Sequence, residues 1–309
     1  SSDVCSSDLV YGLGADANQD PAVLAIYQAK GRPTDHPLIV HIAQADDAGH
    51  FAHPIPAFAQ RLMAAHWPGP LTLILPRRPG VATASAAGQP SIGLRCPSHP
   101  VAQALLKAAR TCGVMGVSGP SANRFGRVSP TRSDHVVSEF GTDLAVLDGG
   151  ACPVGIESTI VDCTREQPVL LRPGMLDLDT LSRSAGRVIL TPQAALGLAR
   201  PSPKASGTLA SHYAPNAKVR LLDANAMAQA ASTLDARALA RIAVWSPTKP
   251  PMAGAPWRAM PSDAAQCAQT LFQTLREFEQ LGVAEIWITP PPPGVAWDGV
   301  RDRLTRASH

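Results

Sequence analysis

No two of the six cysteines stand in a Cys-x-x-Cys spacing. Cys5, Cys96, Cys112, Cys152, Cys163 and Cys267 are scattered, which excludes a zinc ribbon or a dithiol redox motif as a sequence claim. Reduced, mostly buried thiols in a cytoplasmic protein are the expectation. Aromatic residues make up only 5% and charged residues 17% of the 309 positions, and the formal charge is a mild +3, so bulk electrostatics do not mark a nucleic-acid binder. No apolar run approaches the roughly 20 residues that span a bilayer, so no membrane role is expected. The sequence also lacks a Gly-x-x-x-x-Gly-Lys-Ser/Thr loop, a Gly-x-Ser-x-Gly elbow and a His-Glu-x-x-His pair. Gly12-Leu-Gly14-Ala-Asp16-Ala17 matches the dinucleotide fingerprint in letters only. Its helix begins as late as Asp20, and the next suitably spaced acid, Asp35, lies in a Pro-flanked loop, so no Rossmann cofactor is expected.

What is present is an ordinary globular composition, 45% hydrophobic, over a length that suits two domains. The first nine residues, polar and with a repeated Ser-Ser-Asp, read as foreign or truncated sequence. From Val10 onward the pattern alternates. Strands are expected at 10–13, 38–42, 71–75, 91–95, 114–118, 144–147, 159–163 and 169–171, with helices at 21–29, 55–66, 100–109 and 134–140. Asp20, Ser98 and either Thr131 or Ser133 are the expected helix N-caps. Strands outnumber helices and the loops are long, which favours a twisted mixed α/β sheet over residues 1–192. Residues 193–216 read as a Pro-rich linker, although Ser211-His212-Tyr213-Ala214-Pro215 is rich in polar groups for a passive tether. Residues 217–309 read as a small three-layer α/β domain, with strands at 219–222, 242–245 and 285–289 and helices near 225–239, 262–281 and 297–307.

Several segments point to an anionic ligand. Lys30-Gly31-Arg32-Pro33 follows a helix, with Gly31 suited to the left-handed conformation that ends helices. An ammonium and a guanidinium in a stiff turn suit phosphate oxygens; alternatively, they complement the negative end of the helix dipole. Gly119-Pro-Ser121-Ala-Asn123 offers hydroxyls, an amide and bare backbone N–H groups, the ingredients of an anion nest or of a polar loop entering a helix. Ser91-Ile-Gly-Leu-Arg95-Cys-Pro97 and Leu171-Arg172-Pro-Gly174 each place an arginine at a strand end beside a turn, and Gly155-Ile-Glu157-Ser158-Thr159 enters another strand. Three arginines, Arg32, Arg95 and Arg172, at element boundaries with neighbouring Gly or Pro jointly suggest a polyanionic small molecule. His41, in an apolar strand, reads by itself as a core residue.

Together with Trp67-Pro-Gly-Pro-Leu-Thr72, this ordered series resembles the YrdC-like threonylcarbamoyl-AMP synthases over residues 10–174. Ser211-His212-Tyr213-Ala214-Pro215 and the small domain ending in Asp302-Arg303-Leu304 resemble its two-domain branch, whose second domain is Rossmann-like. The resemblance implies an enzyme that joins L-threonine, bicarbonate and ATP, usually with Mg²⁺, into threonylcarbamoyl-adenylate and pyrophosphate. A separate tRNA threonylcarbamoyltransferase then uses the product. It further implies that Lys30, Arg32, Ser121, Asn123, Ser129 and Arg172 hold ATP, with His36 against the nucleotide. His41, Ser91, Arg95 and Ser158 would face threonine, Arg95 as partner of its carboxylate. The linker itself permits a further hypothesis, that His212 with Tyr213 folds back over the nucleotide as a lid, against the alternative of a plain tether. One departure stands out: the family's Pro-Thr-Glu-Thr-like motif, which helps seat threonine, is replaced by Ser-Ser-Asp-Leu at residues 6–9. That puts the activity of the chain as it stands in doubt. Two other readings carry a testable signature: RNA binding without catalysis, and a carbamoyl-transferring maturation enzyme, whose usual Cys-x-x-Cys modules are missing here.

Overall fold

The computed structural model describes residues 3–197, 201–209 and 211–309, so parts of the expected linker, 198–200 and 210, lie outside the described residues. The chain divides into two compact units, one of residues 1–125 and 130–208 and one of residues 126–129 and 209–309. In the first unit the elements run β1 (Asp3–Cys5), β2 (Gly12–Asp16), α1 (Asp20–Lys30), β3 (Ile39–His41), α2 (Ala48–Phe51), α3 (Ala57–His66), β4 (Leu71–Pro76), β5 (Ser91–Arg95), α4 (Pro100–Thr111), β6 (Val117–Ser118), α5 (Ser133–Phe140), β7 (Val146–Leu147), β8 (Thr159–Asp162), β9 (Val169–Arg172) and α6 (Leu178–Ala185). Among the described residues the strands form one nine-stranded mixed sheet in the order β7-β1-β2-β6-β3-β5-β4-β8-β9. β3 and β5, β4 and β8, and β1 and β7 are parallel, whereas β4 and β5 pair antiparallel.

Two-residue alternation along the central strands separates a helix-covered face from a second face. Leu71, Leu73 and Leu75 of β4, Ile92 and Leu94 of β5, and Val40 of β3 enter one apolar cluster with Phe58 and Leu62 of α3 and Leu181 of α6. The intervening residues, Thr72 and Ile74, Ser91, Gly93 and Arg95, Ile39 and His41, fall by the same alternation on the other face. A further cluster packs Val23, Ile26 and Tyr27 of α1 and Val136 of α5 on Leu13 and Ala15 of β2. α1 stops where expected, at Gly31 with φ +61°, whose N–H returns to the last turn.

The structure differs from the sequence expectations in identifiable places. Asp20 is the first helical residue of α1 and not its cap, and α4 and α5 follow His99 and Arg132 without a side-chain cap. The residues 3–9 enter the fold: β1 pairs with β2 and β7, and Asp8 and Leu9 are buried. α6 was not expected, although Asp177 caps it by accepting from the Thr180 N–H at 2.7 Å.

The second unit runs β10 (Lys218–Leu221), α7 (Ala224–Ser232), α8 (Ala236–Leu239), β11 (Ile242–Ser246), β12 (Trp257–Ala259), α9 (Ala264–Gln280), β13 (Glu285–Ile288) and α10 (Asp298–Ala307). Its sheet is wholly parallel, in the order β10-β13-β11-β12. The single helix expected near 225–239 is two, because Asp235 caps a new start by accepting from the Ala238 N–H. α9 buries Ala268, Leu271, Leu275 and Phe278, at alternating three- and four-residue steps. Among the described residues no helix is long and apolar enough to cross a membrane.

Candidate functional site

The candidate site of the first unit lies on the sheet face opposite the cluster formed with α3 and α6. On this face Ile74 of β4 and Ile160 of β8 pack against Ala205, with Ile39 and Leu171 at the edge. Residues 204–206 cross the sheet here, leaving only a crevice of about 10 Å³ above Thr72, Ser91 and Gly93. The crossing segment is held by Gln89, whose side chain accepts from the Lys204 N–H at 3.1 Å, and by a Lys204–Asp35 ion pair of 2.6 Å. That exposed pair contributes little to stability.

The basic turn after α1 forms one end of this face. Arg32 is buried, donating from Nε to the His36 carbonyl (3.1 Å) and from Nη2 to the Pro37 carbonyl (3.0 Å), so the guanidinium staples its own turn. Phe125 lies under it, with the guanidinium carbon 5.4 Å from the ring centre, and the His36 ring stands 5.7 Å from the same ring. Burial and then the Arg32 charge push the His36 imidazole pKa down. Lys30 points inward. Its ammonium donates to the carbonyls of Ser121 (2.6 Å) and Asn123, and burial, followed by Arg32, drives its pKa well below the usual lysine range. Lys30 therefore organises the 121–125 loop, whose Phe125 N–H returns to the Lys30 carbonyl. Asn123 is buried in that loop and donates from Nδ2 to the Arg124 carbonyl at 2.8 Å.

At the other end stands Arg172, at the end of β9. Its Nε donates to the Ser158 carbonyl (3.0 Å), its Nη2 to Ser158 Oγ (3.1 Å) and its Nη1 to the Ser206 carbonyl (2.8 Å). Ser158 Oγ in turn shares a 2.6 Å hydrogen bond with Thr72 Oγ1. Gly174 makes this arrangement feasible, since a Cβ there would lie 2.6 Å from the Thr159 amide nitrogen. Arg32 Nη2 also reaches Ser206, at 3.4 Å from Oγ. Two guanidiniums separated by 140 positions in the chain, and by several strands in the sheet, thus meet at one serine.

A third group adjoins them. β3 and β5 set His41 opposite Arg95, and Gly119 backs onto the imidazole so closely that a Cβ would sit 2.9 Å from Nδ1. Arg95 is buried, donates from Nε to the Gly69 carbonyl (3.0 Å), and forms a 2.5 Å ion pair with the equally buried Asp8. Burial opposes ionisation of Asp8, but the charge and hydrogen bond of Arg95 outweigh it and hold the carboxyl below its ordinary pKa. Burial, reinforced by the Arg95 charge, pushes His41 down to about 3, so the imidazole is neutral at pH 7. Arg95, expected to await a substrate carboxylate, already carries one from the chain itself.

Of the remaining expected residues, Ser121 bridges to Gly12 beside the Lys30 ammonium, and Ser91 begins β5 under the crossing segment. Ser129, His212 and Tyr213 belong to the second unit. There Ser129 is buried, and its carbonyl accepts from Arg276 Nε at 3.4 Å. Tyr213, at φ +63°, packs between the His212 ring (4.2 Å) and the Phe272 ring (5.4 Å), with the Arg303 guanidinium 5.3 Å from its own ring centre. Sequence reasoning missed Asp8, Thr72, Phe125, Lys204 and Ser206. Asp8 was hidden in a segment read as foreign, and Lys204 and Ser206 in a Pro-rich stretch whose signal was taken to be His212-Tyr213.

Comparison with known proteins agrees with this architecture. The family model Sua5_yciO_yrdC, described as Telomere recombination, matches residues 4–174, and the Sua5_C model, described as Threonylcarbamoyl-AMP synthase, C-terminal domain, matches residues 178–309. The threonylcarbamoyl-AMP synthase of Pyrococcus abyssi is 39% identical over 218 residues, covering 70% of this chain and 63% of that protein. That of Bacillus subtilis is 38% identical over 219 residues, covering 70% and 62%. The matched stretch thus spans less than two thirds of these curated relatives. The structure of Pyrococcus abyssi Sua5 complexed with L-threonine superposes with a TM-score of 0.87 at 31% identity, over 99% of this chain and 90% of that one. The chain belongs to the Sua5/YciO/YrdC family, in its two-domain Sua5 form.

Proposed function

We propose that this protein is a threonylcarbamoyl-AMP synthase: it converts L-threonine, bicarbonate and ATP into threonylcarbamoyl-adenylate and pyrophosphate. The observation that carries this reading is the convergence of Arg32 and Arg172 on Ser206, on the sheet face that also holds His41 and Arg95. Relatives named for this activity, and the threonine complex of Pyrococcus abyssi Sua5, support it. In the proposed reaction the threonine amine and bicarbonate condense, with loss of water, to a carbamate. One carbamate oxygen then attacks the α-phosphorus, and the bond from that phosphorus to the bridging oxygen breaks, releasing pyrophosphate. Negative charge spreads over the phosphate chain throughout, so positioning and electrostatic stabilisation suffice without a covalent nucleophile.

Arg32 and Arg172 would grip the phosphates from either side, with His36 and Phe125 beside the nucleotide and Ser121 and Asn123 lining the loop that Lys30 holds in shape. Residues 204–206 would have to lift for the phosphate chain to enter. Threonine would lie against His41 and Ser158, its carboxylate taking donors of Arg95 that Asp8 now neutralises. With its pKa held down at about 3, His41 is too weak a base to take the ammonium proton and would serve as a neutral hydrogen-bonding wall of the threonine site. Among the described residues no group of three or more His, Cys, Asp or Glu side chains fits a resident metal. We therefore assign Mg²⁺ to the incoming nucleotide and derive no step through it. The product would pass to a tRNA threonylcarbamoyltransferase. Release of pyrophosphate that requires both threonine and bicarbonate is the test; release independent of threonine, or none, contradicts the assignment.

A further inference from the structure

The second unit contains a pocket of about 330 Å³ whose lining includes no residue of the candidate synthase site. Its floor includes Ser246, the last residue of β11, and Thr289, just beyond β13. Both strands belong to the all-parallel sheet, and in open parallel sheets the carboxyl ends of the strands are where loops and small ligands gather. Apart from Met227, the wall contributed by α7 is made of small side chains, Ala228 and Ala231 among them, which leave room that larger residues would fill.

The lining is chemically one-sided. Met227 and Met252, 2% and 4% exposed, close its floor from the core side, and the apolar surface open to a ligand is that of Ala224, Ala228, Pro250 and Pro251. The Ser246 hydroxyl is spent, donating to the Thr248 carbonyl at 2.7 Å and accepting from the Trp257 indole at 3.0 Å, so it fixes the loop that follows β11. The hydroxyls of Thr248 and Thr289 and the ammonium of Lys249 have no hydrogen-bond or ion-pair partner among the described residues. No acidic residue lines the pocket. An apolar groove with two hydroxyls and the exposed Lys249 ammonium at its rim, about 330 Å³ in volume, suits a ligand that joins an apolar ring to an anionic group.

We infer that this pocket binds a nucleoside monophosphate, its base in the groove over the Met227 and Met252 floor and against Pro250 and Pro251, and its phosphate at Lys249 and Thr248. The pocket is built wholly from residues of the second unit, so its occupation does not depend on the synthase assignment. The test is methyl-resolved NMR of the full chain labelled at methionine, titrated with AMP, with adenosine and with inorganic phosphate. AMP is expected to shift the Met227 and Met252 methyl resonances, with adenosine binding about tenfold more weakly for want of the charged contact. Ala228→Phe, which fills the space, and Lys249→Glu, which reverses an exposed charge, should each abolish these shifts while the other methionine signals stay in place. If Ala228→Phe does not fold, Lys249→Glu alone decides. No shift at either methionine with millimolar AMP, equal response to adenosine and AMP, or an unchanged response in Lys249→Glu would overturn the proposal.

Discussion

Arg172→Ala separates a catalytic role of this guanidinium from a structural one. The side chain is buried and donates three hydrogen bonds, two to Ser158 and one to Ser206. Truncation leaves the Ser158 carbonyl, in a residue only 2% exposed, without that donor, at a cost of about 1–3 kcal/mol. For a unit of this size that corresponds to a fall in Tm of roughly 2–12 °C, which leaves the protein folded at room temperature. The activity loss should be far larger. A preorganised donor facing developing negative charge accounts for about 10²–10³ in rate, so threonine-dependent pyrophosphate release should drop by at least that factor. Arg172→Lys keeps the charge but loses the fork that spans Ser158 and Ser206, and should fall between the two. A stopped assay for pyrophosphate, run beside a thermal melt, reads both numbers. Wild-type turnover in Arg172→Ala, accompanied by the expected fall in Tm, would refute the reasoning and leave Arg172 as a fold-holding residue only.

Four further outcomes follow from the geometry. Gly174→Ala places a Cβ 2.6 Å from a backbone nitrogen, so the turn must shift; Tm should fall by an amount matching about 1–3 kcal/mol, and activity should fall with it as Arg172 is misaimed. Asp8→Ala leaves the Arg95 guanidinium buried without its carboxylate, and chemical denaturation should show a loss of about 3–5 kcal/mol; an unchanged midpoint would show that the pair is immaterial. His41 has a folded pKa of about 3 against the ordinary 6.5. Below pH 6.5 the unfolded chain therefore binds a proton that the folded one refuses, and stability declines as pH falls from 6.5 towards 3. His41→Gln should flatten that slope in pH-dependent melts, and an identical slope would place the acid sensitivity elsewhere. Finally, ATP with threonine should alter the protease sensitivity of residues 193–216, because residues 204–206 lie where the phosphates would enter; unchanged cleavage would argue for a plain tether.

Much of the first unit was legible because its central strands announce themselves. Leu71-Thr-Leu73-Ile-Leu75 and Ser91-Ile-Gly-Leu-Arg95 are buried on both faces or alternate cleanly, and each expected boundary lies within a residue of the observed one. The arginines were legible for a related reason: a cation at a strand end beside Pro-Gly has few places to point. What escaped was set by tertiary pairing. β1 and β12 are three residues each and acquire strand geometry only from their neighbours. Asp8 draws its meaning from Arg95, which lies 87 positions away, and no local pattern joins them. Ser206 sits in a stretch whose prolines signal only the absence of helix, yet it is where two guanidiniums meet. Lys30 was legible as a cation, but not as one turned inward onto the Ser121 and Asn123 carbonyls.

The proposal that Arg32 and Arg172, which meet at Ser206, grip one phosphate chain is tested most directly by a crystal structure of the protein with a non-hydrolysable ATP analogue and L-threonine. The account predicts the triphosphate between those two guanidiniums, residues 204–206 displaced from the crevice over Thr72 and Ser91, and the threonine carboxylate at Arg95. A triphosphate bound elsewhere, with Arg32 and Arg172 still closed on Ser206, would contradict it.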